Sequence, residues 1–321
     1  MISSKIGSIV RQNSKRLNGF HNFSTSAQLK RIENVLIIGS GLMGSGIAQS
    51  CATSGKFNSI TIQDVNQKQL DISRKSIGQS LTKLHSKKRI QIESVDKTLN
   101  SITFSQEIRP VNDSNLLVIE AIPELLDAKQ NLFKNLCQQF KGNDSVILVT
   151  NTSSLSCEEI GVNVDCKERY GGLHFFNPVP LMKLVEIIRT LETNEKTVEE
   201  LKQFVVDIQK VSVLCKDTPG FIVNRLLIPY TSEAIKMVER GDATVKDIDT
   251  AMKLGAGYPM GPFELMDVTG LDTGKFVVES WLARKDPTLN VSKSELVDKM
   301  VAEGRLGRKT GKGFYNYNDF S

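Results

Sequence analysis

Short apolar runs alternate with helical periodicity along the first two thirds of the chain, and helical periodicity alone dominates the last third. Positions 34–38, 116–120 and 146–149 are compact stretches rich in Ile, Leu and Val, and 59–63 reads as a second strand after the first of them. Runs of that length read as strands buried inside a parallel sheet. Residues 125–140 repeat apolar side chains at helical spacing, which supplies an amphipathic crossover between the last two runs. The alternation predicts an α/β domain with a Rossmann-type, mostly parallel sheet.

Two further runs, 173–176 and 184–188, are separated by a turn carrying Pro178 and Pro180, the pattern of a β-hairpin. If the hairpin is centred on Pro180, His174 and Glu186 stand opposite one another on adjacent strands and share a face. An imidazole braced by a buried carboxylate is equipped to take a proton from an alcohol. An arbitrary His/Glu pair is more often a satisfied core histidine beside a strand-edge acid. The chemical reading therefore depends on what the rest of the chain supplies.

After 210–215 a boundary is expected at Lys216-Asp217-Thr218-Pro219-Gly220, and the pattern beyond it is helical. Ile222, Val223, Leu226, Leu227, Tyr230, Ala234, Ile235 and Val238 recur at helix spacing, with Pro229 expected to kink the helix and Gly241 to end it. Capping boxes are expected at 244–247 and 292–295. The chain thus divides into a leading segment 1–30, a Rossmann domain 31–216 and an all-helical C-terminal domain 217–321. Apolar side chains of the last domain, Leu254, Phe263 and Phe276 among them, fit either an internal core or a dimer seam. Asn224 faces away from the main apolar stripe and is a candidate to reach back toward the cleft between domains.

Directly after the first run comes Gly39-Ser40-Gly41-Leu42-Met43-Gly44-Ser45-Gly46, passing into a helical pattern. This is the dinucleotide fingerprint, with Gly39 for the tight turn, Gly41 for close approach of a pyrophosphate and Gly44 for helix packing. Leu42 and Met43 belong to the same cofactor loop. The second run ends in Asp64, a carboxylate placed either to hold the adenosine ribose or to cap the helix starting near Gln67. Residues 65–67 contain no Arg for a 2′-phosphate, so NAD is expected over NADP. Ligands bind at the carboxyl ends of such strands, where the chain places 120–124 and 150–154; Ser154 or Ser156 also suits a helix start. The stretch 73–89 carries Lys75, Lys83, Lys87, Lys88 and Arg89, either a solvated helix face or a landing surface for an anionic substrate.

At 321 residues the chain has room for two ordinary domains, and no apolar run reaches the ~18 residues of a membrane span. Its five cysteines include no Cys-x-x-Cys pair, which argues against a disulfide framework and against a zinc site. The net charge of +5 comes from five cations within 1–30, where there is no acid and there are six serines. That composition resembles a mitochondrial transit segment and removes any support for nucleic-acid binding.

Long specific runs, 39–48, 151–155 (Asn-Thr-Ser-Ser-Leu), 174–180 (His-Phe-Phe-Asn-Pro-Val-Pro), 216–225 and 256–265, resemble the L-3-hydroxyacyl-CoA dehydrogenase family over essentially residues 31–321. The resemblance implies an NAD-dependent oxidation of the 3-hydroxyl of an acyl-CoA, in β-oxidation within the mitochondrial matrix, by a homodimer. It implies a base at His174 with Glu186 as its partner, and substrate contacts from Ser153 and Asn224. Cofactor positions fall on Asp64, Glu124, Lys129, Ser153 and Lys309, and CoA contacts on Ser80 and Lys87. Two other readings compete: a same-architecture dehydrogenase of a small hydroxy acid or sugar acid, and an NAD-binding structural protein that has lost catalysis.

Overall fold

Eight strands form one sheet in the order β3-β2-β1-β4-β5-β6-β7-β8. The computed structural model describes residues 31–108 and 115–318, so the expected transit segment 1–30 lies outside the described residues. Strands β1 (Asn34–Ile38), β2 (Ser59–Gln63), β3 (Ile102–Ser105), β4 (Leu116–Glu120), β5 (Val146–Thr150) and β6 (Tyr170–Phe175) run parallel. β7 (Leu184–Arg189) returns antiparallel to β6, and β8 (Val211–Lys216) pairs parallel with β7. Every residue of β1, β4 and β5 is buried, because helices cover both faces of the sheet.

Side chains alternate between the two faces, and each face has its own core. On one, Val35, Ile37, Leu117 and Ile119 pack with Ile47 and Cys51 of α1 (Leu42–Ser54), Leu70 and Ile77 of α2 (Gln67–Ser86), and Leu201 and Phe204 of α6 (Glu195–Asp207). On the other, Leu36, Val118 and Leu148 pack with Phe133 and Leu136 of α4 (Leu126–Gln139) and Ile160 of α5 (Cys157–Ile160). Each such fully buried side chain contributes about 1.5–3 kcal/mol of transfer free energy, and this is what orders the layers. Helix α3 (Val95–Asn100) and the edge strand β3 are elements the apolar pattern did not reveal; only Ile102 of β3 is buried.

The helical part comprises α7 (Val223–Glu239), α8 (Val245–Gly255), α9 (Pro262–Thr269), α10 (Leu271–Ala283) and α11 (Glu295–Ala302). α7 runs through Pro229, and Gly241, at φ +75°, follows its end. Thr244 caps α8 by accepting from Asp247 N at 3.1 Å. The box expected at 292–295 is corrected: Ser294 is the cap of α11, accepting from Val297 N at 3.1 Å. Its hydroxyl also donates to Glu239 Oε1 at 2.6 Å, a tertiary contact that fixes where this helix begins.

Candidate active site

The β6–β7 register pairs His174 with Glu186, so strand geometry alone places the two side chains on one face. Both are buried, and Nδ1 of His174 lies 2.7 Å from Oε2 of Glu186. The other carboxylate oxygen accepts from the amides of Ile222 at 3.1 Å and Val223 at 2.9 Å, at the start of α7. Those amides have no partner within the helix, and the dipole there favours negative charge. A carboxylate is acceptor-only, so Nδ1 carries the ring hydrogen, and in the neutral imidazole Nε2 is then the acceptor. Nε2 faces Ser153 Oγ at 2.9 Å, and the rings of Phe176 and Phe221 flank the imidazole at 4.6 and 5.4 Å between centroids.

Ser153 sits on the loop leaving β5, and buried charge shapes that loop. Glu124 Oε1 accepts from Ser153 N at 3.0 Å, from Ser154 N at 3.1 Å, from Ser154 Oγ at 3.1 Å and from the Thr152 hydroxyl. Behind it, the Lys129 ammonium, 1% exposed, pairs with Glu124 at 2.9 Å and with Glu120 at 2.7 Å. Glu120 also accepts from Thr150 Oγ1 at 2.6 Å and Ile122 N at 2.8 Å. Burial pushes the Glu120 carboxyl up, against the pull of Lys129. Burial acts on Glu124 in the same direction but is outweighed by Lys129 and the loop donors, so Glu124 lies below the usual range. Lys129 therefore acts on the site through these two acids.

The loop between β1 and α1 fits a dinucleotide. Gly39 has φ +103°, where a Cβ would stand 2.5 Å from Ala121 O. A Cβ on Gly44 would stand 1.9 Å from Gly39 O, whereas nothing lies within 4 Å of the position beside Gly41. The N-terminus of α1 has no side-chain cap and no acid in its first turn, which leaves its amides free for a pyrophosphate. Leu42 is exposed there, and Met43 packs on the sheet core. Asp64 accepts from Ser40 N at 2.9 Å, Ser40 Oγ at 2.7 Å and Asn66 N at 3.0 Å. Burial would raise its pKa, but these bonds outweigh it and hold the carboxyl below its ordinary range. The helix-cap alternative for Asp64 is not realised, because Asn66 caps α2 by accepting from Lys68 N.

Asn224 follows directly on the Val223 amide bound by Glu186 and is half-buried at the start of α7. Ser80 and Lys87 lie seven positions apart along α2, the first half-buried and the second exposed at its C-terminal end. Lys309 is not drawn to the others by any described bond: its ammonium meets Asp272 at 2.7 Å, in the first turn of α10. The sequence places Glu120, Asn151 and Thr152 at the strand ends where ligands bind but gives none of them a role of its own; Asn151 Oδ1 accepts from Phe175 N at 2.9 Å and so ties the β5 loop to β6. An acid closing an otherwise apolar strand, as Glu120 does, was the available signal.

The family profile described as "3-hydroxyacyl-CoA dehydrogenase, NAD binding domain" matches residues 34–218, and the one described as "3-hydroxyacyl-CoA dehydrogenase, C-terminal domain" matches 220–317. A probable 3-hydroxyacyl-CoA dehydrogenase of Caenorhabditis elegans is 50% identical over 299 residues, 92% of this chain and 99% of that one. The mitochondrial hydroxyacyl-coenzyme A dehydrogenase of Homo sapiens is 47% identical over 316 residues, 96% of this chain and 99% of that one. Among solved structures, the (S)-3-hydroxybutyryl-CoA dehydrogenase of Ralstonia eutropha superposes with a TM-score of 0.81 at 35% identity, covering 89% of this chain and 99% of that one.

Proposed function

The chain belongs to the 3-hydroxyacyl-CoA dehydrogenase family, and from that premise we infer that it oxidises the 3-hydroxyl of an L-3-hydroxyacyl-CoA to the 3-ketoacyl-CoA with NAD, as a step of fatty-acid β-oxidation. The observation that carries this reading is His174, its Nδ1 held by Glu186 and its Nε2 turned toward Ser153. NAD, when bound, supplies the hydride acceptor. Nε2 of His174 takes the proton from the hydroxyl oxygen as hydride leaves the carbon that bears it, since an alcohol is too weak an acid to ionise first. Glu186 stabilises the imidazolium that results. The Ser153 hydroxyl, already bonded to Nε2, and Asn224, at the start of α7, orient the reacting oxygen and the thioester carbonyl.

Gly39, Gly41, Leu42, Met43, Gly44 and Asp64 hold the cofactor, and Glu124 with Lys129 shapes its nicotinamide end. Lys309 completes the cofactor set. Ser80 and Lys87 take the CoA moiety, turning part of the basic α2 into a phosphate-binding face. The Rossmann domain, 31–216, carries this machinery except for Asn224 and Lys309, which belong to the second domain, 217–321. A second copy of this chain covers the exposed Leu226, Leu254 and Phe276, which stand 68%, 84% and 55% exposed in the single chain. Relatives from Sus scrofa and Homo sapiens are mitochondrial enzymes by name, which supports the mitochondrion; the matrix is the compartment that β-oxidation of an acyl-CoA would place it in.

Absorbance of NADH, followed with 3-hydroxybutyryl-CoA and with free 3-hydroxybutyrate, tests the reading. A CoA-linked rate far above the free-acid rate is expected. Equal rates favour the small-hydroxy-acid enzyme, and NADH binding without any turnover favours the inactive NAD-binding protein.

A further inference from the structure

The link from α6 to β8 places an ammonium group beneath the turn of the β6–β7 hairpin. Gln209 adopts φ +59°, the chain reverses, and Lys210 N donates to Val205 O at 3.0 Å. The Lys210 side chain is buried under residues 178–182, where Nζ donates to Val179 O at 2.5 Å and to Met182 O at 2.7 Å. No backbone donor reaches either carbonyl among the described residues. The opposite wall of the turn is the cofactor helix: Val179 is buried against Gly46 of α1, where a Cβ would stand 2.8 Å from Val179 Cβ. The turn is thus gripped between a lysine and the helix whose N-terminus is open to a pyrophosphate. His174 lies five residues before Val179 and Glu186 four after Met182, so a tilt of this turn moves both relative to α1.

We propose that Lys210 is a positioning residue for the dehydrogenase reaction, fixing the β6–β7 turn against the cofactor helix so that His174 meets the reacting hydroxyl in a productive geometry. This rests on the reading of His174 as the base. A charged donor suits the task, because charge-assisted bonds are roughly twice as strong as neutral ones and two carbonyls at different ends of the turn share one group. The charged and titratable neighbours that face it are Lys183, from the turn, and the Cys51 thiol, from α1. Burial first, and then the Lys183 ammonium, bring Lys210 down to about 8, with Cys51 opposing. Lys210 is therefore charged at neutral pH and sheds its proton just above it, and the neutral amine grips the turn more weakly.

The test is turnover per NADH-binding site for the wild-type, Lys210→Met and Lys210→Arg proteins, at saturating NAD and 3-hydroxybutyryl-CoA, from about pH 6 to 10. Lys210→Met is expected to lose on the order of 10–100-fold in kcat, the scale for a small misplacement of catalytic groups. NADH affinity and the acyl-CoA KM should change little. The wild type is expected to lose rate along an alkaline limb with a midpoint near 8 that Lys210→Arg lacks. Turnover of Lys210→Met within twofold of wild type overturns the proposal, as does a loss confined to KM. A wild-type profile that is flat through this range also overturns it and needs no variant to fold. Absence of NADH formation by the wild type sinks the functional reading instead, so the two failures are distinct.

Discussion

Replacing Glu186 by Gln changes one atom, yet three donors then compete for one oxygen. His174 Nδ1–H and the amides of Ile222 and Val223 share the two carboxylate oxygens, at 2.7, 3.1 and 2.9 Å. If the new amide turns its oxygen to α7, its NH2 group faces Nδ1, which must become an acceptor. The ring hydrogen then sits on Nε2, and the lone pair proposed to take the substrate proton is gone. The corresponding Asp→Asn inversion in a serine protease lowers kcat about 10⁴-fold, or roughly 5.5 kcal/mol of transition-state stabilisation. If the oxygen instead stays on His174, two buried backbone donors face an NH2 group, at about 1–3 kcal/mol each. The first arrangement leaves fewer unmet bonds and is expected to prevail. Glu186→Gln should therefore lose on the order of 10²–10⁴ in kcat, measured as NADH formation, while NADH affinity by fluorescence titration stays near wild type. Nitrogen-15 spectra of the imidazole should report the hydrogen moving to Nε2. A variant that turns over within a few-fold of wild type would falsify the assignment of Glu186 as the brace of a catalytic base.

Lys129→Met strands Glu120, a fully buried carboxylate, without its cation. A loss of about 3–5 kcal/mol is expected by urea denaturation, and an effect below about 1 kcal/mol would contradict the pairing. Lys87→Ala should raise the KM for acyl-CoA with kcat nearly unchanged, and a KM equal to wild type returns α2 to a solvated face. Glu124 titrates below its ordinary value near 4.5 in the folded chain, so its contribution is present above that value and is lost as pH falls through the depressed one. Stability measured from neutral to acid should show the wild-type advantage over Glu124→Gln shrinking in that window; an advantage independent of pH would contradict it.

Much of the site was readable because its parts are local in sequence. The glycines at 39, 41 and 44 answer steric demands of one turn, and the hairpin centred on Pro180 fixes the pairing of His174 with Glu186 through the period of two residues in a strand. Runs of Ile, Leu and Val marked the central strands because both sheet faces are covered. β3, the edge strand, and Ser294 as the cap of α11 were not legible. The first lacks an apolar run, and the second is bonded to Glu239, 55 positions away.

The tertiary structure decided what surrounds the histidine. Glu186 is satisfied by amides 36 and 37 residues later in the chain, and Ser153 reaches Nε2 from a loop that Glu124 organises. Lys129 became a buried counter-charge to two acids, a role its helical position alone did not specify. Sequence periodicity determines which residues share a strand or helix face, because the backbone repeats. It does not determine which distant polar groups meet once the faces are buried, because that is set by the requirement that each desolvated donor and acceptor find a partner in the packed chain.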